Sequence, residues 1–97
     1  MADTRTGATV DWQTEEEYWR NNYSTRPYAV NHMDFEFWQP GYRYGYDSAM
    51  KYQGRKWHDV EADLKSGWDR VEHRGKTTWE QIKDAVRDGW DRVTGNR

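Results

Sequence analysis

Apolar side chains in the C-terminal half recur at a spacing that suits only a helix. From Trp57 they fall at Val60, Leu64, Trp68 and Val71; from Trp79 they fall at Ile82, Val86, Trp90 and Val93. The two segments lie 22 residues apart, each with apolar positions 0, 3, 7, 11 and 14, and both contain Gly-Trp-Asp-Arg-Val. At roughly 100° per residue these positions share a stripe about 80° wide, a helical face rather than the two-residue alternation of a strand.

The first stripe extends back through Gln53 to Met50, so its helix is expected over about 47–72, with Asp47 as N-cap and a bend or an interruption at Gly54. The second is expected over about 78–93, opened by a capping box from Thr77 to Glu80. Between them stands His73-Arg74-Gly75-Lys76, with Gly75 suited to a helix C-terminal stop. A short loop between amphipathic helices predicts an antiparallel hairpin, with Trp68 facing Ile82, Leu64 facing Val86 and Val60 facing Trp90. A single continuous helix with an 11-residue repeat is the competing geometry, and Gly75 with the second cap argues against it.

The N-terminal half is less regular. Residues 1–11 show no periodicity and are expected to be a flexible tail before a single small domain over 12–97. Thr14 and Glu17 form a capping-box pattern, predicting a short helix over about 15–22 that stops before Pro27. Over 28–46, Phe35-Glu36-Phe37-Trp38 alternates weakly, while Pro40, Gly41 and Gly45 break regular patterns. This predicts an irregular Tyr-rich segment packed across the hairpin. The expected fold class is all-α.

Composition changes the picture in one respect. Leu, Ile, Val and Phe total only ten of 97 residues, which alone would suggest disorder, but seven Trp and seven Tyr can build a core from rings. Fifteen Lys and Arg against 17 Asp and Glu leave a net charge of −2, too balanced to imply a strongly charged partner. There is no cysteine, which excludes disulfides and thiolate metal sites, and no apolar run long enough for a membrane span or signal peptide. A cytoplasmic protein is expected.

Candidate chemistry is sparse. His58 with Glu61, and Glu72 with His73, lack the convergent ligands a metal needs, and no nucleophile elbow, phosphate loop or dinucleotide pattern occurs. No enzyme activity, metal or cofactor is therefore expected. Glu61–Lys65 and Asp88–Arg92 read as acid-before-base pairs on solvated helix faces. Gly67 and Gly89 weaken their helices, which implies close approach of another backbone or ring. The core is assigned to Trp57, Val60, Leu64, Trp68, Trp79, Ile82, Val86 and Trp90. The interaction surface is assigned to Tyr42, Arg43, Tyr44 and Tyr46, with Arg55, because exposed Tyr and Arg dominate interface energetics.

Arg26-Pro27-Tyr28, the run Pro40-Gly41-Tyr42-Arg43-Tyr44-Gly45-Tyr46-Asp47, and the segments 55–64 and 79–93 resemble a family of small bacterial stress-associated proteins. In size, composition and glycine–tryptophan rhythm the chain is also distantly similar to CsbD-like proteins. The resemblance implies a bacterial, stress-associated protein and carries over no catalytic residue. The function expected is a structural or interaction protein that self-associates or docks on a larger protein assembly. The alternative is a nucleic-acid or polyanion binder using the same Tyr–Arg face.

Overall fold

A computed structural model of the chain describes residues 11–29, 34–71 and 77–95. The described residues are all helix, turn and connection, so the fold is all-α. Four helices form: α1 (Trp12–Asn22), α2 (Phe35–Lys51), α3 (Trp57–Trp68) and α4 (Trp79–Thr94). Two single 3-10 turns, Tyr23–Thr25 and Pro27–Ala29, follow α1.

The principal correction concerns the Tyr-rich segment. Residues 35–51 are a regular helix, so the helix expected to start near Asp47 begins at Phe35 instead, and of the two outcomes expected at Gly54 the interruption holds, with a turn at φ +85° separating α2 from α3. Asp34, not Asp47, is the N-cap of α2; its carboxylate accepts from the Phe37 N–H at 3.3 Å. Pro40 lies inside α2, where it cannot donate to the Glu36 carbonyl, a defect of about 3 kcal/mol. Burial of Phe35, Trp38 and Tyr42 on one face of α2 offsets that defect.

That face is a third copy of the repeat. Phe35, Trp38, Tyr42, Tyr46 and Ala49 occupy positions 0, 3, 7, 11 and 14 of a segment beginning 22 residues before Trp57. Gly45-Tyr46-Asp47 stands where Gly67-Trp68-Asp69 and Gly89-Trp90-Asp91 stand in the later copies.

The glycines show how the copies meet. A Cβ on Gly41 would meet Ile82 and Ala85, and one on Gly45 would meet the Val86 carbonyl oxygen and the Trp90 nitrogen. Four residues forward on α2 is four residues forward on α4, so these helices run parallel. A Cβ on Gly89 would meet the Tyr42 carbonyl oxygen, 2.6 Å away. Gly45 against Val86 and Gly89 against Tyr42 are the same contact with the copies exchanged, an internal two-fold relation at the seam. Gly41 and Gly45 on α2, and Ala85 and Gly89 on α4, remove the side chains that would hold the backbones apart.

The expected contact between α3 and α4 is present but is not the principal one. The main partner of α4 is α2, and α3 touches α4 over far fewer residues. The α3 contact is made by rings: Trp57 stacks on Trp79 at 6.4 Å and meets Trp90 edge-on at 5.9 Å. The Trp68 indole N–H donates to the Thr77 carbonyl at 2.8 Å. Helix α1 runs antiparallel to α2, with Trp12 on Tyr46, Trp19 on Tyr42 and Tyr23 on Phe35. Trp57, Val60, Leu64, Trp68, Trp79, Ile82, Val86 and Trp90 are all buried, joined by Trp19, Phe35, Trp38 and Tyr42.

The other two expected caps shift, by three residues in α1 and by one in α4. Helix α1 begins at Trp12 because the Asp11 carboxylate accepts from the Thr14 N–H at 2.9 Å, which also holds the Asp11 carboxyl below its usual range. Asp11 thus caps a helix rather than ending a tail; residues 1–10 lie outside the described residues, as does the expected stop at Gly75. In α4 the cap is Thr78, whose hydroxyl accepts from Gln81 N–H while the Gln81 side chain accepts from Thr78 N–H at 3.0 Å. Thr77 is buried instead. Thr78→Ala is expected to cost about 1 kcal/mol in urea unfolding. A loss indistinguishable from zero would contradict the cap.

Candidate functional site

A helix turns Tyr44 about 160° away from Tyr42 and leaves Tyr46 about 40° from it. The three phenols therefore do not form one exposed face. Tyr42 is fully buried, stacked on Trp19 at 4.3 Å with the rings 4° from parallel, which corrects its assignment to the interaction surface. Tyr44 points to α3: its hydroxyl donates to the Leu64 carbonyl at 2.8 Å and its ring leans on Trp68. Its hydroxyl also fills the space that Gly67 leaves. Burial pushes the Tyr44 phenol above its ordinary range.

Tyr46 and Arg43 converge on a residue that the sequence did not single out. The half-buried Trp12 ring lies 5.8 Å from Tyr46 and 5.2 Å from the Arg43 guanidinium. Arg43 also pairs with Asp47 at 3.5 Å, and its side chain remains 51% exposed. Arg55 is exposed on the turn between α2 and α3. Among the described residues, Met50 is the exposed large hydrophobic. The aromatic-rich core is covered by the chain itself.

A second cluster ties the segment after α1 to α4. The Asp88 carboxylate is buried and accepts from Arg26 Nε at 2.8 Å, Arg26 Nη2 at 3.1 Å and the Tyr28 hydroxyl at 2.5 Å. Because Tyr28 donates to Asp88, the 2.8 Å bond between the Tyr28 and Tyr42 hydroxyls is donated by Tyr42. Close by, buried Glu15 accepts from Arg92 Nε at 2.8 Å, and the Arg92 guanidinium lies 3.5 Å over the Tyr18 ring. The expected Asp88–Arg92 pair is thus replaced by two longer-range pairs, since Asp88 is turned into the core side of α4. Its place in the preceding repeat is held by Ser66, which is exposed. That departure from the repeat was the available signal.

Two open cavities flank these clusters. One of about 460 Å³ lies between Pro40, Arg43 and Tyr44 of α2 and Val71. The other, about 540 Å³, lies beside Arg26, Tyr28, Arg87 and Asp88. His58 is exposed, and among the described residues no three His, Asp or Glu side chains converge as a metal site. No helix among them is long and apolar enough to cross a membrane. Compared with known proteins, the chain matches no family model, no curated protein and no solved structure.

Burial raises the phenols of both Tyr28 and Tyr42 well above the ordinary value near 10, and for Tyr28 the neighbouring Tyr42 and the bond to Asp88 add to the shift. Below pH ~10 both are protonated whether the chain is folded or not, and their contribution to stability is complete. Above it, the unfolded chain loses protons that the folded one keeps, so stability falls as pH rises toward the folded-state values. Each phenol is expected to remove about 1.4 kcal/mol per pH unit in that window. Ultraviolet titration of the native protein should leave these two of the seven tyrosines un-ionised until the fold is lost. Ionisation of all seven near pH 10 in a folded chain would refute it.

Proposed function

We propose that the protein is a non-enzymatic interaction domain that self-associates or docks on a larger protein assembly. The observation carrying this reading is the Trp12–Arg43–Tyr46 cluster at the α1–α2 edge. It joins the three residue types that dominate interface energetics, and its guanidinium remains half exposed. The other rings are largely used within the core, so the contact surface contracts from the whole Tyr segment to this cluster, with Arg55 on the turn beyond α2. A bacterial, stress-associated setting is what the family resemblance of the segments around 26–28, 40–47, 55–64 and 79–93 implies.

The test is light scattering over a concentration series, together with recovery of the untagged protein from its host. Truncating an interface anchor typically costs 2 kcal/mol or more, roughly thirtyfold in affinity. Trp12→Ala/Arg43→Ala is therefore expected to dissociate the assembly while preserving the helical spectrum. A wild-type chain that is monomeric and recovered alone would sink the reading. So would a double variant that associates as well as wild type. Binding to single-stranded DNA that falls steeply between ~50 and ~200 mM salt would assign the surface to a polyanion instead.

A further inference from the structure

One line of contacts runs from the surface of α1 to the Asp88 carboxylate without a break. The half-buried Tyr18 ring meets Trp19 edge-on at 4.9 Å, and Trp19 stacks on Tyr42 at 4.3 Å. The Tyr42 hydroxyl donates to the Tyr28 hydroxyl at 2.8 Å, and that hydroxyl donates to Asp88 at 2.5 Å. Indoles and phenols are the side chains that lose a single electron most readily. What decides where the vacancy rests is whether the oxidised ring can also shed its proton, because oxidation makes a phenol a strong acid and an indole about as acidic as a carboxylic acid.

The members of this line differ in that respect. The Trp19 indole N–H is buried with no acceptor, so an oxidised Trp19 keeps its proton and its charge. The Arg92 guanidinium 3.5 Å over Tyr18 opposes positive charge there. Tyr28 alone in the line faces a carboxylate directly. Its bond to Asp88 is short, as charge-assisted O–H···O⁻ bonds are. The Arg26 guanidinium, bonded twice to Asp88, keeps that carboxylate in place as an acceptor.

We propose that Tyr28 is a one-electron oxidation site, a phenol that yields its electron through the Tyr42–Trp19 stack and its proton to Asp88. The co-reactant is an outer-sphere one-electron oxidant at the α1 surface. The Tyr28 O–H bond breaks, one electron reduces the oxidant by one unit, and the proton joins Asp88 Oδ2. The products are a neutral phenoxyl radical and a carboxylic acid still held by Arg26. The ring carries no net charge beside the guanidinium, and the proton need not reach solvent. Oxidation of Tyr42 resolves the same way, since its proton passes to Tyr28 as Tyr28 passes its own to Asp88.

The test uses the full chain carrying ring-deuterated tyrosine, oxidised by photogenerated tris(bipyridine)ruthenium(III) and freeze-quenched. Electron paramagnetic resonance should show a tyrosyl signal narrowed by the deuteration, and double resonance should show a strongly coupled exchangeable proton from the hydrogen bond. Tyr28→Phe should abolish that signal, and Tyr52→Phe should leave it intact. A signal that survives Tyr28→Phe, an indole radical in place of the tyrosyl, or no protein radical at all would overturn the proposal. If Tyr28→Phe does not fold, the wild-type double-resonance spectrum decides: a tyrosyl without the exchangeable coupling overturns it.

Discussion

Gly45→Ala is expected to destabilise the domain by 3 kcal/mol or more, whereas Gly67→Ala, at the equivalent position of the next repeat, should be nearly neutral. The difference lies in what each new methyl meets. At Gly45 it would overlap the Val86 carbonyl and lie 2.9 Å from the Trp90 nitrogen, both backbone atoms of a parallel helix. Backbone cannot rotate away, so the helices must separate along the seam that buries Tyr42, Ile82, Val86 and Trp90. Overpacking a well-filled core costs about 1–3 kcal/mol where side chains can adjust, and here they cannot. At Gly67 the methyl meets the Tyr44 hydroxyl, the free end of a side chain, 2.6 Å away. Swinging it aside loses the bond to the Leu64 carbonyl, about 1 kcal/mol, and alanine regains about as much in helix propensity. Gly89→Ala should resemble Gly45→Ala, because its methyl meets the Tyr42 backbone. Stability of a small domain is about 5–15 kcal/mol, so the loss is visible as a drop in urea midpoint. Equal midpoints for Gly45→Ala and Gly67→Ala would contradict the parallel seam.

The glycines of α2 show what could be read in the chain and what could not. Helices α3 and α4 are legible because Trp, Val, Leu and Ile mark their stripes without interruption. Helix α2 carries the same stripe, but Tyr and Ala replace the stronger markers at Tyr42, Tyr46 and Ala49, and Pro40, Gly41 and Gly45 read locally as breakers. Local propensity points away from helix there, and tertiary packing overrides it. The two glycines are breakers in isolation and the means of close approach once α4 is beside them. Taking the 22-residue offset one step further back from Trp57 would have found Phe35 and the Gly45-Tyr46-Asp47 echo.

The pairing of helices was less accessible. A short connection favours neighbours as partners, yet α4 chooses α2, two helices earlier, because among the described helices only that pair has small residues in register on both sides. The contact surface suffered from the same cause. Tyr42, Tyr44 and Tyr46 would project together from an extended chain, and the helix distributes them to the core, to α3 and to Trp12. Arg26 and Asp88 stand 62 residues apart, and nothing local to either announces the other.

Asp88→Ala is expected to cost about 3–5 kcal/mol, the range for removing one partner of a buried ion pair. It strips the acceptor from two guanidinium donors and one phenol, in a setting where the Arg26 side chain is 29% and the Asp88 side chain 10% exposed. Asp47→Ala, which removes an exposed i,i+4 partner of Arg43, should cost at most about 1 kcal/mol. A double-mutant cycle separates pairing from burial: Arg26→Ala in the Asp88→Ala background should cost much less than in wild type, since the guanidinium has already lost its partner. The damage should also be local before it is global. Asp88 is the anchor by which residues 26–28 hold α4, whereas the α2–α4 seam depends on glycines and apolar side chains. Amide exchange in Asp88→Ala should therefore accelerate first in α1 and the turns after it, with α2 and α4 protected until the chain unfolds as a whole. If Asp88→Ala proves as mild as Asp47→Ala, or exchange quickens evenly across all four helices, the carboxylate is not the tie between the N-terminal segment and the helical pair.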